Sequence, residues 1–472
     1  MNGSYNIVAF SVICAWIPII VALFALIPPR RAVIAAFVVG YLFLPDLNWH
    51  FPTIPDVNKV TLTEVGVILG SLLLDGGRLF AVRPRLIDLA WLILCLTPIV
   101  SSLTNGLTIM DGLAMSMTVV TKWGLAYWVG RAYFTDWEAA RELAVGIILG
   151  GLAYVPLCWW EIRMSPQLHS QIYGWLFISF RRDSAIFGFR PNVFLADGLT
   201  VTMFMGVTAV LAYWAWMTES PKKLLGMPMG AIAMALVVTT VFCKALGGVT
   251  LMMAGIGVLT MLRFPRTKVP VLLLLLAAPT YMIVRSSGEW SGQKMVEYAG
   301  MISEERGRSL AFRLQNEDPL AARALEQPWF GWAGWGRSHV FDSEGHDTTI
   351  NDGLWLIILG EHGIVGLGSL VVMVLGSAYM LWRNVPTRYW TDPACAAPVA
   401  LAVITILYMI DSLFNATFNP VASLAVGAVA SMSFVAKKTF AAKPAGRGFE
   451  VRPTPLVSSI TDIPYVHTPV RS

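Results

Sequence analysis

Residues 304–366 read EERGRSLAFRLQNEDPLAARALEQPWFGWAGWGRSHVFDSEGHDTTINDGLWLIILGEHGIVG. They form the longest polar interval of a 472-residue chain that is 56% hydrophobic and only 13% charged, whereas soluble proteins are about 25% charged. Cationic and aromatic side chains are prominent in it: Arg306, Arg308, Arg313, Arg323, Arg337, Trp329, Trp332 and Trp335. An apolar segment then begins at Asp352. We interpret the interval as a cationic loop carried by a membrane-embedded scaffold.

Apolar segments account for most of the remaining chain. Many approach or exceed the roughly 18 residues that a transmembrane helix needs. We place thirteen: 5–27, 32–45, 60–75, 86–103, 112–130, 140–160, 193–216, 226–242, 249–262, 268–285, 352–382, 395–413 and 417–436. Three of them are short. The sequence therefore predicts an all-α, polytopic integral membrane protein with about 12–13 transmembrane helices, in which residues 1–436 form the transmembrane domain.

The distribution of basic residues predicts how these helices are oriented. No basic region precedes the first apolar span, and Arg30 and Arg31 follow it, so its amino end is expected to face outward. The short loops on the inner side then carry fourteen Lys and Arg residues. The short outer loops carry only Lys59 and Lys244. This asymmetry is the positive-inside signal of a multi-pass membrane protein.

Two long loops lie on the outer face in this topology: residues 161–192 and residues 286–351. Long loops largely escape the positive-inside rule, so the arginines concentrated there call for another explanation, and anion binding supplies one. We expect the larger, periplasmic loop to be partly helical, with a short helix over 319–327 capped by Asp318. The Pro-, Gly- and Thr-rich tail, residues 437–472, is predicted to be a disordered cytoplasmic segment.

Charged residues inside apolar spans are candidates for specific pairing, because an unpaired charge is costly there. Lys122 lies within the span 112–130, and Asp411 lies near the outer end of the span 395–413. We predict that these two residues pair and fix the packing of their helices.

The run PLAARALEQPWFGWAGWG, residues 319–336, resembles part of the large periplasmic loop of the O-antigen ligase and Wzy-type polysaccharide polymerase superfamily. Members of that superfamily carry a helix that ends in a proline-aromatic-glycine turn, and a later helix with the pattern Glu-x-Gly-x-x-Gly. Glu361, Gly363 and Gly366 match this pattern. A weaker similarity covers FGFRPNVFLADGL, residues 187–199.

Two further features bear on the resemblance. Wzy polymerases carry an Arg and a Gly separated by ten residues in each of two outer loops. That spacing occurs twice here: Arg163 with Gly174, and Arg323 with Gly334. Superfamily members also carry a His-Asn pair before Glu-x-Gly. In this chain Asp352-Gly353 takes that place, and the nearest histidine is His346.

The resemblance implies glycosyl transfer on the periplasmic face of the bacterial inner membrane. The implied donor is an undecaprenyl-diphosphate-linked saccharide, and the implied acceptor is a hydroxyl group of a glycan or lipid-linked molecule. No metal or cofactor is implied, and no nucleic acid. A chain-length regulator and export proteins are implied as partners. The Arg-Gly spacing, and Asp352 in place of the ligase-like histidine, favour a polysaccharide (O-antigen or exopolysaccharide) polymerase over an O-antigen ligase, which transfers polymer to lipid A core.

The loop residues supply candidates for each role that the resemblance implies. Guanidinium groups bind phosphate oxygens bidentately and stay charged, and fixed cations stabilise a leaving diphosphate. The candidates for this role are Arg313, Arg323, Arg190 and Arg337. Asp352 or His346 is the candidate base for the acceptor proton. The candidates for stacking on sugar rings are Trp329, Trp332 and Trp335.

Each of these candidates also has an ordinary structural interpretation. The arginines can form ion pairs within the loop, with Glu317, Asp318 or Glu326 as partners. Asp352 stands where a helix cap is common, and tryptophans anchor proteins at membrane interfaces.

Metal-independent glycosyl transfer has three alternatives. A lipid-linked oligosaccharide flippase or another transporter is expected to contain an internal repeat, and the sequence shows none. A metal-dependent glycosyltransferase is expected to carry acidic pairs in the first outer loop, and residues 46–59 offer only Asp46 and Asp56, far apart. In the large loop, Asp342-Ser343-Glu344 is a weak candidate for a metal site. A non-catalytic assembly subunit is the third alternative, in which the loop arginines are dispensable.

Overall fold

The computed structural model describes residues 5–51, 55–175, 188–263, 267–288, 290–334 and 336–441. Helices make up most of them. Those of the first half are α1 (Ile7–Leu26), α2 (Pro29–Phe43), α3 (Lys59–Leu74), α4 (Gly77–Phe80), α5 (Leu86–Thr104), α6 (Ile109–Val119), α7 (Leu125–Tyr133), α8 (Trp137–Met164), α9 (Leu168–Tyr173) and α10 (Gly198–Met217). Those of the second half are α11 (Met229–Phe242), α12 (Leu246–Arg263), α13 (Val269–Ser286), α14 (Gln293–Ile302), α15 (Glu304–Leu325), α16 (Leu354–Val371), α17 (Ser377–Asn384), α18 (Ala396–Asp411) and α19 (Pro420–Ala441).

Strands are confined, in the described ranges, to two minimal hairpins. In the first, β1 (Asn48–Trp49) pairs antiparallel with β2 (Val57–Asn58). In the second, β3 (Lys223–Leu224) pairs antiparallel with β4 (Met227–Pro228). The fold is therefore all-α, as predicted.

In the described part of the chain, eight helical segments are long and apolar enough to cross a membrane: α1, α5, α8, α10, α12, α13, α16 to α17 taken together, and α19. The protein is thus a multi-pass membrane protein by the length and composition of its helices. Each of the thirteen predicted spans coincides with a helical segment. The remaining spans fall on α2, α3, α11 and α18, which have 14 to 16 residues, and on α6 and α7, which a π-helical turn joins. The full count of twelve or thirteen crossings stays a prediction.

The centre of the bundle is formed by α10, α18 and α19. In the most apolar 18-residue stretch of α10, and likewise in that of α19, 83% is buried. Nearly every residue of α18 is buried as well. By contrast, only 28% of the most apolar 18-residue stretch of α1 is buried. The central helices are therefore surrounded by other helices, and α1 lies at the edge.

A buried ion pair joins α5, α7 and α19. Arg131 Nε lies 2.8 Å from Asp88 Oδ1, and both side chains are about 5% exposed or less. Arg131 Nη1 donates to Ser431 Oγ at 2.8 Å, and the Tyr127 hydroxyl donates to Asp88. The arginine and the carboxylate are each satisfied by several partners, which is the condition for tolerating charges inside an apolar bundle.

Three sequence predictions are corrected by the fold. The separate helix over 319–327 is wrong, because α15 runs from Glu304 to Leu325 with Pro319 in its interior. An internal proline destabilises a helix by roughly 3 kcal/mol, and the buried contacts that α15 makes through Glu317 and Arg285 offset this. The predicted tail 437–472 begins too early, because α19 continues to Ala441. Residues 442–472 lie outside the described part of the chain.

The pairing of Lys122 with Asp411 is also wrong. Lys122 interacts electrostatically with Glu361 of α16. Asp411 instead accepts hydrogen bonds from Asn415 Nδ2, at 2.9 Å, and from the Thr417 hydroxyl. The two partners follow Asp411 by 4 and 6 residues. Hydrogen bonds from residues nearby in the sequence therefore satisfy this carboxylate.

Candidate functional site

The position of α15 is set by Arg285 at the end of α13. Arg285 Nε donates to Glu317 Oε2 at 2.9 Å, and Nη2 donates to Asp318 Oδ1 at 2.7 Å and to the Leu314 carbonyl at 3.0 Å. Its side chain is 2% exposed and that of Glu317 is 7% exposed. Desolvation raises the pKa of the Glu317 carboxyl, despite the opposing hydrogen bonds from Tyr281 and Arg285. This buried cluster holds the large loop against the membrane bundle.

One turn before Glu317, α15 brings Arg313 beside Asp352. Arg313 Nε lies 3.9 Å from Asp352 Oδ2, and the two side chains are 25% and 47% exposed. They share a small cleft whose other walls include Phe312, Asn316, Ile350, Leu413 and Phe414. Asn316 closes one side by accepting a hydrogen bond from the backbone N–H of Ile350, at 3.0 Å. A cation and a carboxylate, both partly accessible, thus stand together where the large loop meets α16.

Two further carboxylates lie near this cleft. Asp411, at the end of α18, is close enough to Arg313 and to Asp197 for their charges to interact. Asp197 caps α10 by accepting a hydrogen bond from the backbone N–H of Thr200, at 2.7 Å. Asp197 precedes Gly198, and the Arg190 side chain covers that glycine, since a methyl group at Gly198 would lie 2.3 Å from Arg190 Cδ. Arg190 of the smaller loop therefore lies against the first residue of α10, and its place in a common site with Arg313 stays a prediction.

The smaller loop is held in place by Glu161 of α8. Its carboxylate accepts backbone hydrogen bonds from Asn192 and Val193, both at 2.7 Å, and from Leu168 at 2.9 Å. Glu161 is fully buried. It fixes the backbone just after Arg190, whose Nε is buried and has no hydrogen-bond partner among the described residues. A buried, unsatisfied guanidinium nitrogen is uncommon and marks a site able to take an acceptor.

A second cation stands beside Arg190. Lys244 Nζ donates to the Gly188 carbonyl at 2.5 Å. The Arg190 charge and, to a greater extent, burial lower the pKa of the Lys244 ammonium. Arg190 and Lys244 thus form a like-charged pair, and such a pair favours an anion between its members.

Arg323 lies elsewhere. It is ten residues after Arg313, roughly 15 Å along the helix. Its guanidinium stacks 3.5 Å from the centre of the Trp332 ring and pairs with Glu326 at 2.5 Å. Trp332 Nε1 donates in turn to the Arg323 carbonyl at 2.7 Å. One face of Trp332 is therefore occupied by Arg323, and this arrangement fits loop packing better than sugar stacking.

The segment between Pro328 and Ala333 fills a break in α16. Gly363 has φ 64° and ψ −167°, so the helix is interrupted there. The freed backbone groups bond to the loop: Ile364 N donates to the Pro328 carbonyl, and Trp332 N donates to the Gly360 carbonyl, both at 2.7 Å. A methyl group at Gly363 would lie 2.4 Å from the carbonyl carbon of Trp329. Close backbone packing thus requires the glycine of the Glu-x-Gly pattern.

The remaining predicted residues do not reach the Arg313–Asp352 cleft. Arg337 is exposed and donates to the Asn105 carbonyl at 3.3 Å. The His346 side chain is 72% exposed and lies beside Asp342, at 3.4 Å, and Glu344, at 3.6 Å. Trp329 is 66% exposed, and Trp335 lies outside the described residues. Backbone N–H groups of His346 and Glu344 lower the pKa of the Asp342 carboxyl.

The weak metal candidate gains no support from geometry. Asp342 Oδ1 is occupied by the backbone N–H groups of Glu344 and His346, each at 2.9 Å. In the described ranges no group of three or more His, Cys, Asp or Glu side chains converges as metal ligands do.

Comparison with known proteins does not identify a function for these residues, so their assignments rest on geometry and chemistry. No family model and no curated protein matches the chain. The structure pairs Arg313 with Asp352 and places Arg190 beside Lys244. Asp411 interacts electrostatically with Arg313 and with Asp197. Sequence reasoning selected Arg313, Asp352 and Arg190, and it did not select Lys244, Asp197 or Asp411 as site residues.

Proposed function

We propose that this protein is a membrane glycosyltransferase that elongates a polysaccharide on the outer face of the bacterial inner membrane. Its donor is an undecaprenyl-diphosphate-linked saccharide, and its acceptor is a hydroxyl group of another glycan or lipid-linked unit. The observation that carries the proposal is the accessible Arg313–Asp352 pair, 3.9 Å apart, at the junction between the large loop and α16. The charge bias of the short loops supports placing this junction outside, with the carboxyl terminus in the cytoplasm.

The two side chains have complementary roles in such a transfer. The acceptor oxygen attacks the anomeric carbon, the bond from that carbon to the diphosphate oxygen breaks, and the diphosphate leaves with the bonding electrons. Asp352 takes the proton of the acceptor hydroxyl. Arg313 stabilises the charge that develops on the diphosphate, using guanidinium donors other than the Nε that faces Asp352.

Arg190 and Lys244 extend the cationic surface towards the smaller loop. A diphosphate offers two phosphoryl groups, and in this proposal Arg313 contacts one while Arg190 and Lys244 contact the other. The unsatisfied Nε of Arg190 supports this role. Asp411 interacts electrostatically with Arg313 and with Asp197.

The test is glycan analysis of a deletion strain complemented with wild type, Arg313→Ala, Asp352→Asn or Arg308→Ala, with membrane levels measured alongside. Arg308 is the matched control, because it lies on the same helix but is 74% exposed and faces Glu304. We expect Arg313→Ala to lower polymer formation by about 100- to 1,000-fold, as loss of one preorganised donor does. Short lipid-linked units should accumulate, and Arg308→Ala should make normal polymer.

Two outcomes would contradict the proposal. Full-length polymer that stays on undecaprenyl diphosphate and is missing from lipid A would identify an O-antigen ligase. Normal glycan from Arg313→Ala and Asp352→Asn, at normal membrane levels, would exclude the cleft as a transfer site.

A further inference from the structure

A large groove is lined by α2, α8 and the β3–β4 hairpin, and it shares no lining residue with the Arg313–Asp352 cleft. It encloses about 890 Å³, within the size range of ligand sites. Its lining is mostly apolar, with Ile34, Val38, Val39 and Leu149 beside the small residues Gly150 and Ala153. From Arg31 to Phe43 along α2 it extends for twelve residues, roughly 18 Å at the rise of an α-helix. These dimensions suit an extended hydrocarbon chain.

One end of the groove is cationic. Arg31, Arg141 and Lys223 line it, with Glu142 as the one acidic residue lining it. Arg31 pairs with Glu142 at 3.0 Å, and Arg141 Nη1 pairs with Glu138 at 3.2 Å. Arg141 Nε is nevertheless buried and has no hydrogen-bond partner in the described structure. The positive charge at this end therefore exceeds what the neighbouring carboxylates neutralise.

The β3–β4 hairpin closes the same end. Its turn is Leu225-Gly226, and both residues have positive φ, at 51° and 77°. Such turns favour Asn or Gly at the first position, yet here a leucine occupies it and is 68% exposed. Lys223 stands at the base of the hairpin and forms no ion pair with any described residue. The hairpin thus presents an apolar tip and a free ammonium group beside the groove.

We propose that the groove binds one anionic phospholipid. Its phosphate lies against Arg31, Arg141 and Lys223, one acyl chain lies along Val38 and Gly150, and the Leu225 tip sits among neighbouring acyl chains. Basic pockets between transmembrane helices on the cytoplasmic side are suited to acidic lipid headgroups. The charge bias of the short loops places Arg31, Arg141 and Lys223 on that side. The choice of a phospholipid over a polyprenyl lipid rests on the proposed glycosyl transfer, whereas the charge and shape of the groove do not.

Charge complementarity selects this occupant over a zwitterionic lipid. A zwitterionic headgroup, in which a phosphate is joined to an ethanolamine or choline group, carries no net charge. It would leave the excess positive charge of the groove without a counterion. A polyprenyl diphosphate is also anionic. Its reacting end, however, belongs at the Arg313–Asp352 cleft on the opposite face, whereas the cations of the groove lie at the inner end.

Native mass spectrometry of the full chain in mild detergent tests the proposal. Phosphatidylglycerol is added and the fraction that carries one lipid is measured, with phosphatidylethanolamine, undecaprenyl phosphate and inorganic phosphate as parallel probes. The variants are Lys223→Gln, which removes an unpaired charge, and Ala153→Trp, which fills the groove without touching its cations. Lys222→Gln is the matched control, because Lys222 is the adjacent lysine and pairs with Glu219 at 2.8 Å.

We expect phosphatidylglycerol to bind in preference to phosphatidylethanolamine. Lys223→Gln should weaken it about fivefold, the factor that one juxtamembrane charge contributes. Ala153→Trp should abolish binding, and Lys222→Gln should bind as wild type does. Equal binding of both phospholipids, equal loss in Lys222→Gln and Lys223→Gln, or no effect of Ala153→Trp would overturn the proposal. Displacement of phosphatidylglycerol by undecaprenyl phosphate would overturn it too, and would assign the groove to polyprenyl lipids.

Discussion

The buried Arg285–Glu317 pair is predicted to anchor the large loop, and a double-mutant cycle tests this. The perturbations are Arg285→Met, Glu317→Leu and the two together, each replacing a charged side chain by an apolar one of similar length. Arg285 makes three hydrogen bonds to α15, and both members of the pair are less than a tenth exposed. Asp318 is 60% exposed, so its share of the energy is small.

The expected magnitudes follow from this burial. Removing one partner of a buried ion pair leaves an uncompensated charge and destabilises a protein by about 3–5 kcal/mol. Burial raises the pKa of Glu317 even beside Arg285, which indicates that desolvation outweighs the attraction. The double variant should therefore be much less destabilised than the two single variants added together. We expect a coupling energy of about 2–3 kcal/mol.

Pulse proteolysis after equilibration in mixed micelles measures the free energy of unfolding for each variant. Arg323→Ala serves as the control, because its pair with Glu326 is 31% and 57% exposed and is worth about 1 kcal/mol or less. A coupling energy below about 0.5 kcal/mol would mean that the two side chains act independently. The anchoring of α15 through this pair would then be refuted.

Four further outcomes are expected. Arg323→Ala should leave glycan synthesis near wild type while lowering the unfolding free energy by about 1 kcal/mol through loss of the Trp332 stack; loss of polymer at normal membrane levels would contradict this. Gly363→Ala should sharply lower the yield of folded protein, measured by fluorescence-detected size exclusion, since its methyl group would meet the Trp329 carbonyl carbon at 2.4 Å. Gly368→Ala, a position with open space around it, is its control. Glu161→Gln should reduce glycan synthesis at near-normal membrane levels, because one Oε can no longer accept N–H groups and the backbone beside Arg190 loosens; unchanged synthesis would count against Arg190 as a site residue. Burial lowers the pKa of His169, whose neutral ring bonds to the Asp46 N–H and the Trp175 carbonyl. The contribution of His169 to stability should be present above pH about 6.5 and should be lost as the pH falls below that value. In His169→Gln, the melting temperature measured as a function of pH should depend less on pH over this range.

Hydrophobicity was the property from which the fold could be predicted. Runs of apolar residues located thirteen helical segments, because a bilayer-spanning helix must be apolar along its whole length. The interior of the large loop was harder. Pro319 reads as a helix start, but α15 continues through it. The stabilising contact comes from Arg285, about 30 residues earlier in the chain, and no local pattern reports it.

The candidate site shows the same division. Arg313, Asp352 and Arg190 were selected by charge type and by resemblance. The structure pairs Arg313 with Asp352, and Arg190 lies against Gly198. Arg323 and Trp332 were selected on the same grounds, yet they bind each other. Glu161 carried a local signal, a carboxylate at the end of an apolar span. Lys244 carried none, because it is a single lysine in a short loop.

Composition and hydropathy alone determined that this is an all-α membrane protein, that its cations are unevenly distributed among its loops, and that a polar arginine-rich loop precedes α16. These properties follow from the sum of many similar residues, so single contacts do not alter them. The tertiary structure decided which arginine faces Asp352, which one stacks on Trp332, and which lysine joins Arg190. Those choices depend on distances of a few ångströms between residues far apart in the chain, and only the packing of α13, α15 and α16 sets them.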